Sequence, residues 1–227
     1  MTGKTGSKGQ GFSRVSHKAE TYTSGEDALT YEQVQRLLAR TGISLIDEAL
    51  LRLVFDGGLR RIDIVNVCCA NLDVRENHLM FYEHKKRRNW QVFLESSTVK
   101  TLSQLMASSG SEWMFSAANP KRHLSDRTAY NILQANLKAC GIDSRPFHAM
   151  RSTCMKLKQK AGWPVEMTAK HVGDSIKVVQ QHYLTPSQEE MREKVRATNL
   201  FGDVQTMGSP LVCAETIKRG EADDGKD

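Results

Sequence analysis

Apolar residues recur at helical spacing over most of the chain. Tyr31, Val34, Leu37 and Leu38 fall on one helical face behind Thr30, a side chain suited to an N-cap. Leu45, Ile46, Ala49, Leu50, Leu53 and Val54 repeat the pattern behind Ser44, and Gly57-Gly58 supplies the stop. Residues 59–67 read as a further short helix. From Asn71 the period falls to two, so residues 73–75, 78–83 and 90–95 are expected as strands of a small antiparallel sheet. Its turns would lie at Glu76-Asn77 and at the run His84-Lys85-Lys86-Arg87-Arg88.

The helical period then returns. Ser96 is expected to cap a helix to about residue 108 on Val99, Leu102, Leu105 and Met106, and Trp113-Met114-Phe115 reads as core filling. Ser125 and Asp126 open a helix that ends at Cys140-Gly141 with Ile132, Leu133 and Leu137 inward. Pro146 precedes another, which stops before Gly162-Trp163-Pro164. Short helices over 165–172 and 175–183 follow, and Pro186 at a first helical position starts a charged one to about residue 199. The pattern is that of an α+β chain, mainly helical. Residues 1–28, rich in Gly, Ser, Thr and Lys, are expected to form a flexible basic arm, residues 29–201 one domain, and residues 202–227 a loose tail.

Composition narrows the partner. A hydrophobic share of 39% is enough for a core, and 32 Lys and Arg against 26 Asp and Glu give a net charge of +6, which points to a polyanion, above all nucleic acid. No RNA-binding motif and no nucleotide-binding glycine loop is present. Five cysteines, without CxxC or Cys/His ligand spacing, indicate neither a disulfide framework nor a zinc site and fit a reducing compartment. With no apolar run long enough for a bilayer and no signal-peptide core, a soluble, cytoplasmic protein is expected.

Candidate chemistry gathers between Phe147 and Tyr183. His148 and Arg151 stand three residues apart on one helix and share a face, so imidazole and guanidinium can address one anionic group. Tyr183, thirty-two residues after Arg151, is a nucleophile if brought to the same phosphate. Arg60 follows the Gly-Gly break, where the chain bends and the side chain can enter a cleft; Asp63 is a candidate ion-pair partner. Lys85, Lys86, Arg87 and Arg88 on the hairpin, with Lys121 and Arg122 on a later loop, are candidate phosphate contacts.

Taken together these motifs resemble the tyrosine recombinase (phage integrase) family over roughly residues 30–201. Gly58-Leu59-Arg60 followed by Asp63 is similar to the box that opens that family's site, and His148 with Arg151 matches its HxxR box. Lys85, twenty-five residues after Arg60, resembles the hairpin lysine upstream of an apolar strand, here Val92-Phe93-Leu94, with Lys86 the near alternative. Tyr183 falls in the nucleophile's place. The chain departs from the pattern nine residues earlier, where the family has histidine or tryptophan and Gly173 is followed by Asp174; His171 and His182 are close but out of register.

The resemblance implies a tyrosine-recombinase catalytic domain acting as a site-specific recombinase. Arg60 and Arg151 would stabilise charge on the phosphate, His148 would exchange the nucleophile's proton, Lys85 would protonate the departing 5′ hydroxyl, and Tyr183 would form a 3′-phosphotyrosyl link. No metal or other cofactor is expected, the sequence having no carboxylate cluster suited to two Mg²⁺. Partners would be double-stranded DNA and further copies of the chain, a tetramer at the synapse and a monomer when free. The arm is too short for the clamp domain that usually precedes such a catalytic domain. A type IB topoisomerase-like strand relaxase and, on account of Asp174, a weakened DNA-binding regulator on the same fold stay open as alternatives.

Overall fold

The structure, a computed structural model, describes residues 25–183, 186 and 188–198. The chain divides into two units, Met1–Ser187 and Gln188–Asp227. The expected basic arm, apart from residues 25–28, and the expected tail lie outside the described residues.

In the first unit the order is α1 (Tyr31–Leu38), α2 (Leu45–Gly57), α3 (Arg61–Val65), a short 3-10 turn, β1 (Leu72–Asp73), β2 (His78–Glu83), β3 (Arg88–Phe93), α4 (Ser96–Ser109), α5 (Asp126–Ala139), α6 (Phe147–Lys160), α7 (Val165–Val172) and α8 (Ile176–His182). The second unit contributes α9 (Gln188–Thr198). The fold is α+β and mainly helical, with one three-stranded antiparallel sheet in the order β1-β2-β3. Among the described residues no helix is long and apolar enough to cross a membrane.

Local chemistry accounts for the starts and stops. Thr30 caps α1 in a full capping box with Gln33, and Ser44, Ser125 and Ser175 cap α2, α5 and α8 through their hydroxyls. Helix α2 is buried almost all round, with Ala49, Leu50, Leu51, Leu53 and Val54 inaccessible, because α4, α5 and α6 pack against it. Helix α6 is buried from Ala149 to Met155, and its far side joins α7 and α8 in a second cluster of Cys154, Met155, Ala169, Val172, Val179 and Tyr183.

Some boundaries differ from the sequence reading. Strand β3 runs Arg88–Phe93 rather than 90–95, because Glu83 pairs with Arg88 across a four-residue turn; Arg88 therefore belongs to the strand. The first strand is only Leu72–Asp73, since the Asp73 carboxylate turns back to accept from the Arg75 and Glu76 N–H groups. Glu95, not Ser96, is the N-cap residue of α4, and Pro186 lies two residues ahead of the first residue of α9.

Candidate active site

The first guanidinium is placed by a glycine. Gly58 ends α2 in the left-handed region at φ 62°, and a Cβ there would stand 2.9 Å from Val172 Cγ1 and 3.0 Å from Cys154 Sγ. The bare backbone thus lets the turn lie directly on α6 and α7, and Arg60 follows as the N-cap residue of α3. Its Nη1 pairs with Glu83 Oε1, and its Nη2 donates to both oxygens of Asp174 at 3.1 and 3.3 Å.

Arg151 comes from α6 and is 97% buried. Its Nη1 donates to the Gly58 carbonyl, and its Nη2 to the Val172 carbonyl at 2.6 Å and to Asp174 Oδ2 at 2.7 Å. The two backbone bonds fix the guanidinium in the seam between α2, α6 and α7, so that its remaining reach is toward Asp174. One turn earlier on the same helix, His148 Nε2 lies 2.6 Å from the Tyr183 hydroxyl, with the rings edge to face. Tyr183 is the C-cap residue of α8; its ring is buried in the second cluster and its oxygen points back to α6.

The hairpin brings cations from the other side. Strand β2 alternates, with Leu79, Phe81 and Glu83 inward and Met80 and Tyr82 outward. Glu83, 1% exposed, is held by Arg60 and by Arg88 Nε at 2.7 Å. Arg88 also lies over the Trp90 ring and donates to the Gly173 carbonyl at 3.0 Å. Lys86 Nζ reaches Asp174 Oδ1 at 2.8 Å and the Gly173 carbonyl. Gly173 sits at φ 74°, and a Cβ there would be 3.1 Å from Arg88 Nη2 and from Trp90 Nε1, so this position too requires bare backbone.

The Asp63 carboxylate does not pair with the Arg60 guanidinium, although the Asp63 N–H donates to the Arg60 carbonyl at 2.9 Å. Its Oδ1 takes the backbone N–H and the Nδ1 of His84, each at 3.0 Å, and so ties α3 to the first residue of the hairpin turn.

Arg60, Lys86, His148, Arg151, Asp174 and Tyr183 are therefore brought together. Lys85 is exposed on the turn, within electrostatic reach of His148, and Arg87 is exposed beside it at φ 50°. Lys121 and Arg122 stand exposed on the loop before α5 and bond none of these groups. His171 is turned away: its Nε2 lies 3.0 Å from the Asp56 carbonyl and its ring packs on Trp163, so it does not stand in at the Asp174 position. The side chain of His182 lies outside the described residues. Glu83 and the Asp63–His84 tie escaped the sequence reading, although the parity of Glu83 with Leu79 and Phe81 signals an inward carboxylate that must find cations.

The electrostatics follow. Burial, then the charges of Arg151, Arg60 and Lys85, push His148 down to about 4, so at neutral pH it is neutral and one ring nitrogen can accept a proton. Burial raises the Tyr183 phenol above its ordinary value, only partly offset by Arg151 and Arg60. Burial opposes the charge on Asp174, yet Arg151, Lys86 and Arg60 outweigh it and hold the carboxyl well below the usual range. Beside the site a cavity of about 580 Å³ is lined by Arg60, Arg61, Tyr130, Phe147, His148 and Arg151. Among the described residues no group of three or more His, Cys, Asp or Glu side chains is arranged to hold a metal ion.

A model of the phage integrase family matches residues 27–190. Compared with curated proteins, the chain has no significant match. Among solved structures it is similar to XerA recombinase, with a TM-score of 0.67 and 16% identity over 75% of this chain and 64% of that one. It is also similar to the integrase of mycobacterium phage Brujita, with a TM-score of 0.57 and 15% identity over 71% of this chain and 61% of that one. A third is lambda integrase, solved as a tetramer bound to a Holliday junction, with a TM-score of 0.56 and 15% identity over 71% of this chain and 50% of that one. The chain thus spans between half and just under two thirds of the length of these relatives.

Proposed function

Since the chain belongs to the phage integrase family, its fold that of a tyrosine-recombinase catalytic domain, we propose that it is a site-specific DNA recombinase with Tyr183 as nucleophile. The observation that carries this reading is the convergence of two guanidiniums from distant parts of the chain, Arg60 and Arg151, on one carboxylate beside a tyrosine hydroxyl that is hydrogen-bonded to a neutral histidine. Two oxygens held between two fixed forks are what a phosphodiester also offers.

In this reaction the Tyr183 oxygen attacks the phosphorus of a DNA linkage and its proton passes to His148 Nε2, 2.6 Å away. Charge growing on the non-bridging oxygens is stabilised by Arg60 and Arg151, whose orientation is set in advance by Glu83 and by the Gly58 and Val172 carbonyls. The 5′ oxygen leaves with a proton from a lysine of the hairpin, Lys86 being the one whose Nζ already stands at the anion position, with Lys85 beside it. The product is a 3′-phosphotyrosyl link and a free 5′ hydroxyl. The reverse steps, with another strand's hydroxyl as attacker, rejoin the DNA, and no metal or other cofactor takes part.

Double-stranded DNA is the partner, met by the hairpin cations Lys86, Arg87 and Arg88 and by Lys121 and Arg122 on their loop, and recombination assembles several copies on it, as in the lambda integrase tetramer. Residues 29–201 are the catalytic domain, with arm and tail outside it. The test is incubation with a nicked target duplex. Wild type is expected to give a protein–DNA adduct that survives denaturation, and Tyr183→Phe none. A second reading, a DNA-binding regulator on the same fold, is favoured by Asp174, which holds the cations that a phosphate would need. Tight binding to a defined site with no adduct from wild type would decide for it.

A further inference from the structure

The anion position of the site is filled by the protein itself. Asp174 is the single residue between Gly173, which ends α7, and Ser175, which caps α8, so its place is set by both helix ends. Its N–H is tied to the Ala169 carbonyl at 2.9 Å. The carboxylate, 6% exposed, receives Arg60 and Lys86 on Oδ1 and Arg151 and Arg60 on Oδ2. These three cations come from three separate elements, the turn after α2, the hairpin and α6, and meet on these two oxygens.

A carboxylate does not satisfy all that is offered, for Arg151 Nε is buried without a hydrogen-bond partner. A DNA phosphodiester presents two non-bridging oxygens, as the carboxylate does, and adds two ester oxygens that give such a donor a further, weaker acceptor. Both anions cannot share the place, because two negative charges within about 4 Å repel by several kcal/mol at the effective dielectric of a partly buried site.

We propose that Asp174 is an internal occupant of the phosphate cradle, which a DNA phosphate must displace before Tyr183 can act. This rests on the reading of the cradle as the scissile-phosphate site. Asp174 lies nine residues before Tyr183, at the opposite end of α8. Exchange of carboxylate for phosphate therefore loosens the anchor of the helix that carries the nucleophile. Off its DNA target the chain holds its guanidiniums neutralised and α8 fixed; on it, the cost of expelling Asp174 is met by phosphate contacts only where the duplex seats well.

The experiment compares full-length wild type with Asp174→Asn, which keeps size and one acceptor but removes the charge, and with Asp174→Ser, in case the amide disturbs packing. Inorganic phosphate binding is followed by ³¹P NMR line broadening, and adduct formation on a nicked duplex is followed in parallel. Removing the charge is expected to tighten phosphate binding about tenfold or more, the scale of one unit charge at short range in a partly solvated site, and to raise the initial rate of adduct formation. If neither uncharged variant, shown folded by its circular dichroism and melting curve, binds phosphate more tightly than wild type, Asp174 is no occupant but a strut that orients the arginines. Tighter phosphate binding with no adduct from any form would leave the occupant standing and remove the recombinase reading.

Discussion

Tyr183 and His148, thirty-five residues apart in sequence, meet through a 2.6 Å contact between phenol oxygen and Nε2. With His148 pushed down to about 4, the imidazole is neutral well below pH 7, its Nε2 accepts, and the phenol donates.

His148→Ala is therefore expected to lower the rate of adduct formation by about 10²–10⁴-fold, the usual worth of a positioned proton acceptor, while leaving DNA affinity nearly unchanged. The acid limb of the wild-type rate should lie near pH 4 rather than near 6.5, because His148 loses its acceptor only on protonation. Initial rates between pH 4.5 and 8 check this. A wild-type rate that halves near pH 6.5 would remove His148 from the role.

The two hairpin lysines differ in place. Both are exposed on the turn, but Lys86 Nζ reaches Asp174 Oδ1 at 2.8 Å, whereas Lys85 lies within electrostatic reach of His148. Lys86→Ala is expected to slow cleavage by about 10²-fold or more and Lys85→Ala by far less. A substrate whose 5′ leaving atom is sulfur needs no proton on departure, so it should restore the rate of the lysine variant that removes the acid. Rescue of Lys85→Ala instead would transfer the role to Lys85.

Acid should weaken the fold before carboxylates titrate. His148 and the buried His171 are both depressed from 6.5 to about 4. Between those values the unfolded chain binds more protons than the folded one, so stability is full above pH 6.5 and falls as pH drops toward 4. Asp174, held low, keeps its contribution through this window, since a depressed carboxyl loses it only below its ordinary 3.8. A loss of about 2–3 kcal/mol by pH 5 is expected once solvent screening of the partly exposed His148 is discounted. Denaturant unfolding at pH 7 and pH 5 measures it, and His171→Gln, which removes the more deeply buried of the two imidazoles, should remove more than half of the difference.

How much of this was legible in the sequence depends on the range of the interaction. Caps at Thr30, Ser44 and Ser125 are local chemistry, and they stand where the side chains suggested, whereas Ser175, expected inside its helix, is the cap of α8. The alternation through β2 was readable, but the start of β3 was not, because Arg88 enters the strand through its pairing with Glu83 rather than through any apolar period. Arg60, His148, Arg151 and Tyr183 could be named from their boxes, and they do meet. That Asp174 would bind the arginines, and Asp63 His84 rather than Arg60, depends on contacts between elements that no spacing encodes. Spacing after Arg60 favours Lys85, with Lys86 as the near alternative; the shape of the turn, with Arg87 at φ 50°, is what brings Lys86 Nζ to Asp174.

Gly58 is a point where fold and site share one atom of clearance. Gly58→Ala would place a methyl 2.9 Å from Val172 Cγ1 in a backbone region that disfavours a side chain, at about 2–4 kcal/mol for strain and overpacking together. Because the Gly58 carbonyl also holds Arg151, adduct formation should fall more than DNA binding does. A variant as stable as wild type in chemical denaturation would show that the contact relaxes.

Glu83 tests whether the arginines need fixing or only charge. It is 1% exposed and joins the largely buried Arg60 to the partly exposed Arg88, so Glu83→Gln leaves both guanidiniums short of one anion and is expected to destabilise the unit by about 1–3 kcal/mol. Net charge near the cradle becomes more positive, which by itself would strengthen DNA binding. Orientation runs the other way, since Arg60 Nη1 loses the partner that aims Nη2 at the anion position. Affinity for a nonspecific duplex is therefore expected to rise or hold while the adduct rate falls, a split that simple unfolding cannot produce. If both rise together at a temperature where the variant is folded, Glu83 is a brake on the site and not its brace.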